Sequence, residues 1–188
     1  MLPASASVSV LHRLRHETQP YHTALEQNAF NRALMAGTVT PEDTARFLAK
    51  LYGFLLPYEA ALRAHSFPAE WEVAARCRAR LIEQDVAQAA GLPQCPDMPP
   101  LRTRSQLLGA LYVLEGSTLG GQVITRQLAR AGIAARTYFT GYAEQTGARW
   151  KSFCGLLSDA ATHPAEQDEV VESAIVTFQK LHAWIEQP

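Results

Sequence analysis

An excess of charge of either sign is missing from this chain: 17 Lys and Arg stand against 18 Asp and Glu, a formal net charge of −1. A nucleic-acid binder carries a basic excess, so that class drops out. Cysteine is scarce as well. Cys77, Cys95 and Cys154 are odd in number and form no C-x-x-C pair. That argues against a disulfide framework or a zinc knuckle and points to a reducing cytoplasm. No stretch reads as the ~18 continuous apolar residues of a membrane span, and residues 1–10 lack the basic start and apolar core of a signal peptide. Period-two alternation, tandem repeats and low-complexity tracts are absent. So are the lysine of a phosphate-cradling P-loop and any strand leading into G-x-G-x-x-G.

What is present is helical. At 188 residues and 47% hydrophobic content, the chain is long enough to bury one full core. Residues 1–9 read as a loose tail and 10–188 as one all-α domain of seven or eight helices. Leu11, Leu14, Thr18, Tyr21 or His22, and Leu25 mark one face of a first helix, which Pro20 either kinks or restarts. Thr40-Pro41-Glu42-Asp43 opens the next one, with a capping hydroxyl, a proline suited to the first turn and acids at the positive end of the dipole. Pro57 bends or ends that helix. Pro68 opens a third, in which Trp71, Ile82 and Val86 are set among Arg76, Arg78 and Arg80. A proline-rich loop covers residues 91–100. Thr103 or Ser105 caps a long helix ending near Gly132, residues 150–157 form a short one, and Pro164 starts the last.

The long helix contains the stretch around which the rest is arranged, L-L-G-A-L-Y-V-L-E-G-S-T-L-G-G-Q over residues 107–122. Leu107, Leu108, Leu111 and Leu114 give it an apolar face, yet Gly109, Gly116, Gly120 and Gly121 lie inside it. Each costs about 1 kcal/mol relative to alanine. Two physical reasons stand side by side: close helix–helix packing through small residues, or a flat ligand lying against backbone that lacks Cβ atoms.

His22 is the titratable group of most interest. It shares a face with Leu11, Leu14 and Leu25, so part of its ring is expected to be buried. Glu26 lies one turn later. A carboxylate accepting from Nδ1–H would fix the tautomer and leave Nε2 free to bind a metal, although an exposed ion pair uses the same spacing. His12 and His16 are also four apart. The six-residue step to His22 turns about 600°, so the three do not converge on zinc. His65 and His163 read as loop or cap residues, and Cys95-Pro96 as a turn. Ser117 lacks the G-x-S-x-G elbow and a preceding strand, so no nucleophile is read there.

Two separate blocks resemble the heme oxygenases, in particular the bacterial enzymes that supply biliverdin to phytochromes. L-R-H-E-T-Q-P-Y-H-T-A-L-E-Q-N-A-F-N-R-A-L-M-A-G, residues 14–37, is similar to the family's proximal helix. Residues 109–122 are similar to its distal helix, and weaker similarity runs through Leu51-Tyr52 and the last helix. The resemblance implies heme held between a proximal and a kinked distal helix. It makes His22 the axial iron ligand, oriented by Glu26, and has Gly116, Gly120 and Gly121 bring the distal backbone close to the iron-bound oxygen. It places Arg15, Lys151 and Tyr112 at the heme propionates and Phe178 on the apolar side of the ring. Well-known members carry an aspartate where Ser117 stands, which leaves proton delivery and the choice of meso carbon open. Bacterial relatives share E-G-S there.

The implied reaction is oxidative opening of heme, substrate and cofactor at once, by O2 and electrons to biliverdin, carbon monoxide and ferrous iron. A neutral histidine donor keeps iron able to bind O2. With no flavin or nicotinamide fingerprint in the chain, an external electron donor, a ferredoxin or reductase, is implied, docked by basic residues near the heme edge. A bacteriophytochrome is the expected recipient of the bilin. The alternative is a heme carrier of the same fold that does not cleave its ligand.

Overall fold

The computed structural model describes residues 9–187; the expected tail, apart from Ser9, lies outside the described residues. Among them there are ten α-helices and no strand. The first three are short: α1 (Val10–Glu17), α2 (Gln19–Glu26) and α3 (Ala29–Ala36). Pro20 restarts the chain rather than kinking it. α1 ends at Thr18, whose N–H and hydroxyl both donate to Leu14 O at 3.0 and 2.7 Å, and the proline then occupies the first turn of α2. α3, closed by Gly37 in the left-handed conformation, falls within the proximal block and was not resolved as a separate helix in the sequence.

α4 (Pro41–Ala64) starts where the sequence says it should. Thr40 and Asp43 exchange side chain and backbone hydrogen bonds at 3.1 Å in each direction, a reciprocal cap. Pro57 sits inside α4 without ending it. The expected third helix, by contrast, is broken into a 3-10 turn (Ala69–Trp71), α5 (Val73–Arg76) and α6 (Ala79–Asp85), with Glu72 at φ 46° between the first two. The cause is inward-facing charge. Arg76 and Arg78 are buried, at 3% and 4% exposure, and a continuous surface helix would have held them in solvent.

α7 (Arg104–Arg130) is capped at Thr103, by the same reciprocal exchange with Gln106. It is followed by α8 (Thr137–Thr140), α9 (Thr146–Ala160) and α10 (Pro164–Ile185), the last capped by His163. α7 and α10 form the central pair. At Gly109 the α10 backbone comes so near that a Cβ would overlap Val170 O and lie 2.7 Å from Ser173 Cβ, while Ser173 Oγ donates to Gln106 O at 2.6 Å. Leu107, Leu108 and Leu111 of α7 and Val170, Val171 and Ala174 of α10 are all buried. α7 is the one helix among the described residues long and apolar enough to cross a bilayer, a property the sequence reading did not find. Of its most apolar window, 56% is buried inside the protein, as in a core helix.

Candidate functional site

A cavity of about 650 Å³ opens beside α7, a volume suited to a small-molecule ligand. α2 contributes His22, Leu25 and Glu26. α7 contributes Tyr112, Gly116, Ser117, Leu119, Gly120 and Ile124. Aromatic rings close the remainder: Phe47 from α4, Tyr138 and Phe139 from α8, Trp150 from α9 and Phe178 from α10. The lining is mostly apolar, with polar groups confined to a few positions including Arg15, Gln19 and Asn31.

His22 is set by the restart at Pro20: its N–H donates to Thr18 O at 3.0 Å. The ring meets Phe178 edge-on, with centroids 5.8 Å apart and planes at 81°. Its side chain is 55% exposed, and Glu26 Oε2 stands 3.5 Å from Nδ1. The ring is thus more open than its apolar neighbours in sequence suggest, because the face it shares with Leu25 borders the cavity instead of the core. At 3.5 Å the carboxylate is at the outer limit of a hydrogen bond. Among the described residues no three His, Cys, Asp or Glu gather to hold a bare metal ion. A metal bound by His22 here must bring its remaining ligands with it. His12 and His16 stack on each other, 6.3 Å apart, outside this lining.

The four glycines of α7 divide between the two physical reasons. Gly116 and Gly120 line the cavity. A Cβ on Gly120 would meet nothing within 4 Å, and one on Gly116 would make only ordinary contact with the Trp150 ring at 3.5 Å. Gly109 and Gly121 serve packing. A Cβ on Gly121 would overlap Phe139 O and lie 3.3 Å from the Phe139 carbonyl carbon. The expectation that Gly121 faces a ligand is therefore corrected: one residue on from Gly120 the helix has turned about 100°, from the cavity to α8. α7 is continuous by hydrogen bonding through all four positions.

Of the other expected binding residues, Arg15, Tyr112 and Phe178 line the cavity. Burial, acting chiefly, holds the Tyr112 phenol above its ordinary pKa. Lys151 is exposed and stands outside the lining, where its neighbour Trp150 takes the wall position.

Behind α7 lies a set of buried charges that the sequence reading did not find. Glu115 pairs with Arg76, and its Oε1 accepts from the Tyr142 hydroxyl at 2.8 Å. Burial first, then Glu115, pushes the Tyr142 phenol up to about 12. Arg78 Nη2 donates to Leu114 O at 2.9 Å, and its guanidinium lies 5.2 Å from the Tyr138 ring centre. Glu59 Oε1 accepts from the backbone N–H groups of Arg78 and Ala79 at 2.6 and 2.7 Å, and Arg63 donates to Oε2 at 2.8 Å. Desolvation still leaves the Glu59 carboxyl above its usual range. The signal for this cluster was a single glutamate inside each of two apolar runs, L-L-P-Y-E-A-A-L and Y-V-L-E-G-S-T-L. A buried carboxylate needs a partner.

Three comparisons bear on this arrangement. The heme oxygenase family profile matches residues 8–93 and 82–187. A heme oxygenase from Xanthomonas campestris pv. campestris is 25% identical over 160 residues, covering 80% of this chain and 93% of that protein. Among solved structures, the fold is similar to heme oxygenase from Leptospira interrogans, with TM-score 0.76, 18% identity, and 95% of this chain and 98% of that one covered. Heme oxygenase-1 from the cyanobacterium Synechocystis, solved in complex with heme, gives TM-score 0.77 at 15% identity, with 95% and 91% covered.

Proposed function

The chain belongs to the heme oxygenase family, and from that premise we propose that the cavity beside α7 holds heme with His22 as the axial ligand of its iron. Heme oxygenases open heme oxidatively to biliverdin, and this chain is such an enzyme. One observation supports the placement: the His22 imidazole on α2 borders the same aromatic-lined cavity as Gly116 and Gly120, where α7 presents backbone without Cβ atoms. A porphyrin supplies the four ligands that the protein does not.

When bound, heme supplies the iron at which O2 is activated. The residues of the chain supply orientation. The His22 imidazole would hold the iron, and Glu26, whose Oε2 stands 3.5 Å from Nδ1, would fix its tautomer by accepting from Nδ1–H. Phe178, set edge-on to that ring, limits how far it turns. Arg15 and Tyr112 offer a cation and a hydroxyl to anionic propionates at one edge of the ring, and the aromatic walls exclude water from the other. Gly116 and Gly120 leave the cavity face of α7 open, so a macrocycle held there would meet helix backbone rather than side chains. Ser117 stands where an aspartate organises proton delivery in other members. Residues 10–188 act as one heme-binding unit.

Electrons come from a separate donor, a ferredoxin or reductase, in a reducing cytoplasm, and the bilin passes to a phytochrome. Electrostatic docking of an acidic donor predicts that turnover falls as salt rises, and an unchanged rate would remove that part of the reading. The test of the whole is aerobic incubation of the heme complex with ascorbate, followed by chromatography of the products. Biliverdin supports the assignment. A persistent Soret band with no bilin formed would make the protein a carrier, and failure to bind heme stoichiometrically would end the proposal.

A further inference from the structure

We propose that Asp85 is a positioning residue of this enzyme, fixing α8 as the wall against which the macrocycle is seated and so biasing which meso edge is opened. The inference rests on the heme reading above and goes beyond it, because Asp85 belongs to neither the proximal nor the distal block and does not line the cavity.

α8 is a single turn, Thr137–Thr140, and one turn has no stability of its own in water. Its N-cap residue, Arg136, supplies no side-chain cap. Yet α8 brings Tyr138 and Phe139 to the cavity, so its position must come from its neighbours. Asp85, the last residue of α6, supplies the missing cap from 52 residues away in the chain. Thr137 Oγ1 donates to Oδ1 at 2.6 Å, and the Tyr138 N–H donates to Oδ2 at 3.0 Å. Both carboxylate oxygens are used, one on a side chain and one on the backbone, and short bonds to an ionised acceptor fix direction as well as distance.

The other end of α6 meets the same residue. Arg78, the residue before the first turn of α6, lies 5.2 Å from the Tyr138 ring centre. α6 thus grips Tyr138 twice, by ring and by backbone, from ends about 10 Å apart. The remaining contacts of α8 are less directional. The Phe139 ring stacks on Phe30 and Phe47 with centroids 5.9 and 6.2 Å apart, and such stacks hold over a range of separations. The Phe139 carbonyl rests against Gly121, which limits approach but not rotation. Without Asp85 the wall stays in place but turns more freely. That matters for a porphyrin, because rotation about the axis from iron to His22 exchanges the four meso edges while leaving the axial bond intact. The walls of the cavity, not the imidazole, then decide which edge is presented.

Asp85→Ala removes both bonds. Asp85→Asn keeps them, because its Oδ1 accepts from the Tyr138 N–H while its Nδ2 donates to Thr137 Oγ1, a hydroxyl able to accept as well as donate. In Asp85→Ala the heme Kd should stay within about twofold of the wild type, while the ratio of biliverdin isomers after aerobic turnover should move about fivefold, the ~1 kcal/mol of a lost cap. Asp85→Asn should restore the wild-type ratio, and Thr137→Val, which removes one of the two bonds, should fall between. A heme-free arm separates this inference from the heme assignment. In apoprotein carrying para-fluorophenylalanine, the fluorine resonance of Phe139, identified by its loss in Phe139→Leu, should shift or broaden in Asp85→Ala and return in Asp85→Asn. A wild type that binds no heme ends both readings. A Phe139 resonance that stays fixed in Asp85→Ala, or an unmoved isomer ratio in that variant when it binds and opens heme, overturns the role of Asp85 alone.

Discussion

Gly120→Ala and Gly121→Ala, one residue apart, should have opposite effects on stability, and the contrast tests the division of glycine roles along α7. In each, alanine gains about 1 kcal/mol of helix propensity. At Gly120 nothing opposes the gain, since the added methyl meets no atom within 4 Å. The apoprotein should become up to ~1 kcal/mol more stable, raising Tm by roughly 2–4 °C for a chain of this length. At Gly121 the methyl overlaps a backbone carbonyl oxygen of Phe139, which cannot rotate away as a side chain would. Overpacking of that kind costs about 1–3 kcal/mol, so the net change is a loss of up to ~2 kcal/mol. Heme affinity should follow the reverse order. The Gly120 methyl occupies space the macrocycle needs, and a loss of ~1.4 kcal/mol is tenfold in Kd; Gly121→Ala should bind nearly normally where folded. Denaturant unfolding of the apoproteins and heme titration at the Soret band give both quantities. If Gly120→Ala binds and turns over heme as the wild type does, the cavity face of α7 is not where the ligand lies, and the reasoning fails.

His22→Ala should lose the histidine-ligated Soret spectrum while urea unfolding of the apoprotein changes by no more than about 0.5 kcal/mol, as expected of a side chain 55% exposed; an unaltered spectrum would place the ligand elsewhere. Arg76→Leu leaves Glu115 buried and unpaired except for Tyr142, and should destabilise the apoprotein by about 3–5 kcal/mol, with Arg76→Leu/Glu115→Gln recovering most of the loss; a small effect of the single change would mean the pair is hydrated. Tyr142, pushed up to about 12 when folded against an ordinary value of 10.0, holds its proton more tightly in the native state. The stability it contributes is complete below pH 10 and is lost as pH climbs toward 12. Tyr142→Phe should flatten that part of the curve of unfolding free energy against pH, and an identical slope would show that the phenol is not shielded.

How much of this was legible in the sequence depends on the distance over which each cause acts. Caps were readable because their partners lie three residues apart: Thr40 with Asp43 and Thr103 with Gln106 sit where the local pattern puts them. The restart at Pro20 was half legible, since proline forbids a continuous ladder but does not say which of its two solutions is taken. The glycines of α7 were visible as an anomaly but not as two populations. Sorting them requires Phe139 and Val170, which no spacing within α7 reveals. The break between α5 and α6 was hidden for the same reason.

Arg76 and Arg78 give no sign of burial while Glu59 and Glu115 are out of sight, and Arg76 meets Glu115 across 39 residues of chain. An isolated glutamate in an apolar run announces that a buried cation exists somewhere; it does not say where. The same limit applies to Ser117. Read alone, it is a weaker substitute for an aspartate. With α8 folded against α7, it borders the same cavity as Tyr138, which lies 21 positions downstream. What surrounds Ser117 in the cavity is therefore a property of the packing between α7 and α8, and Gly121, by admitting the Phe139 carbonyl next door to Tyr138, is the residue that lets the two helices come that close.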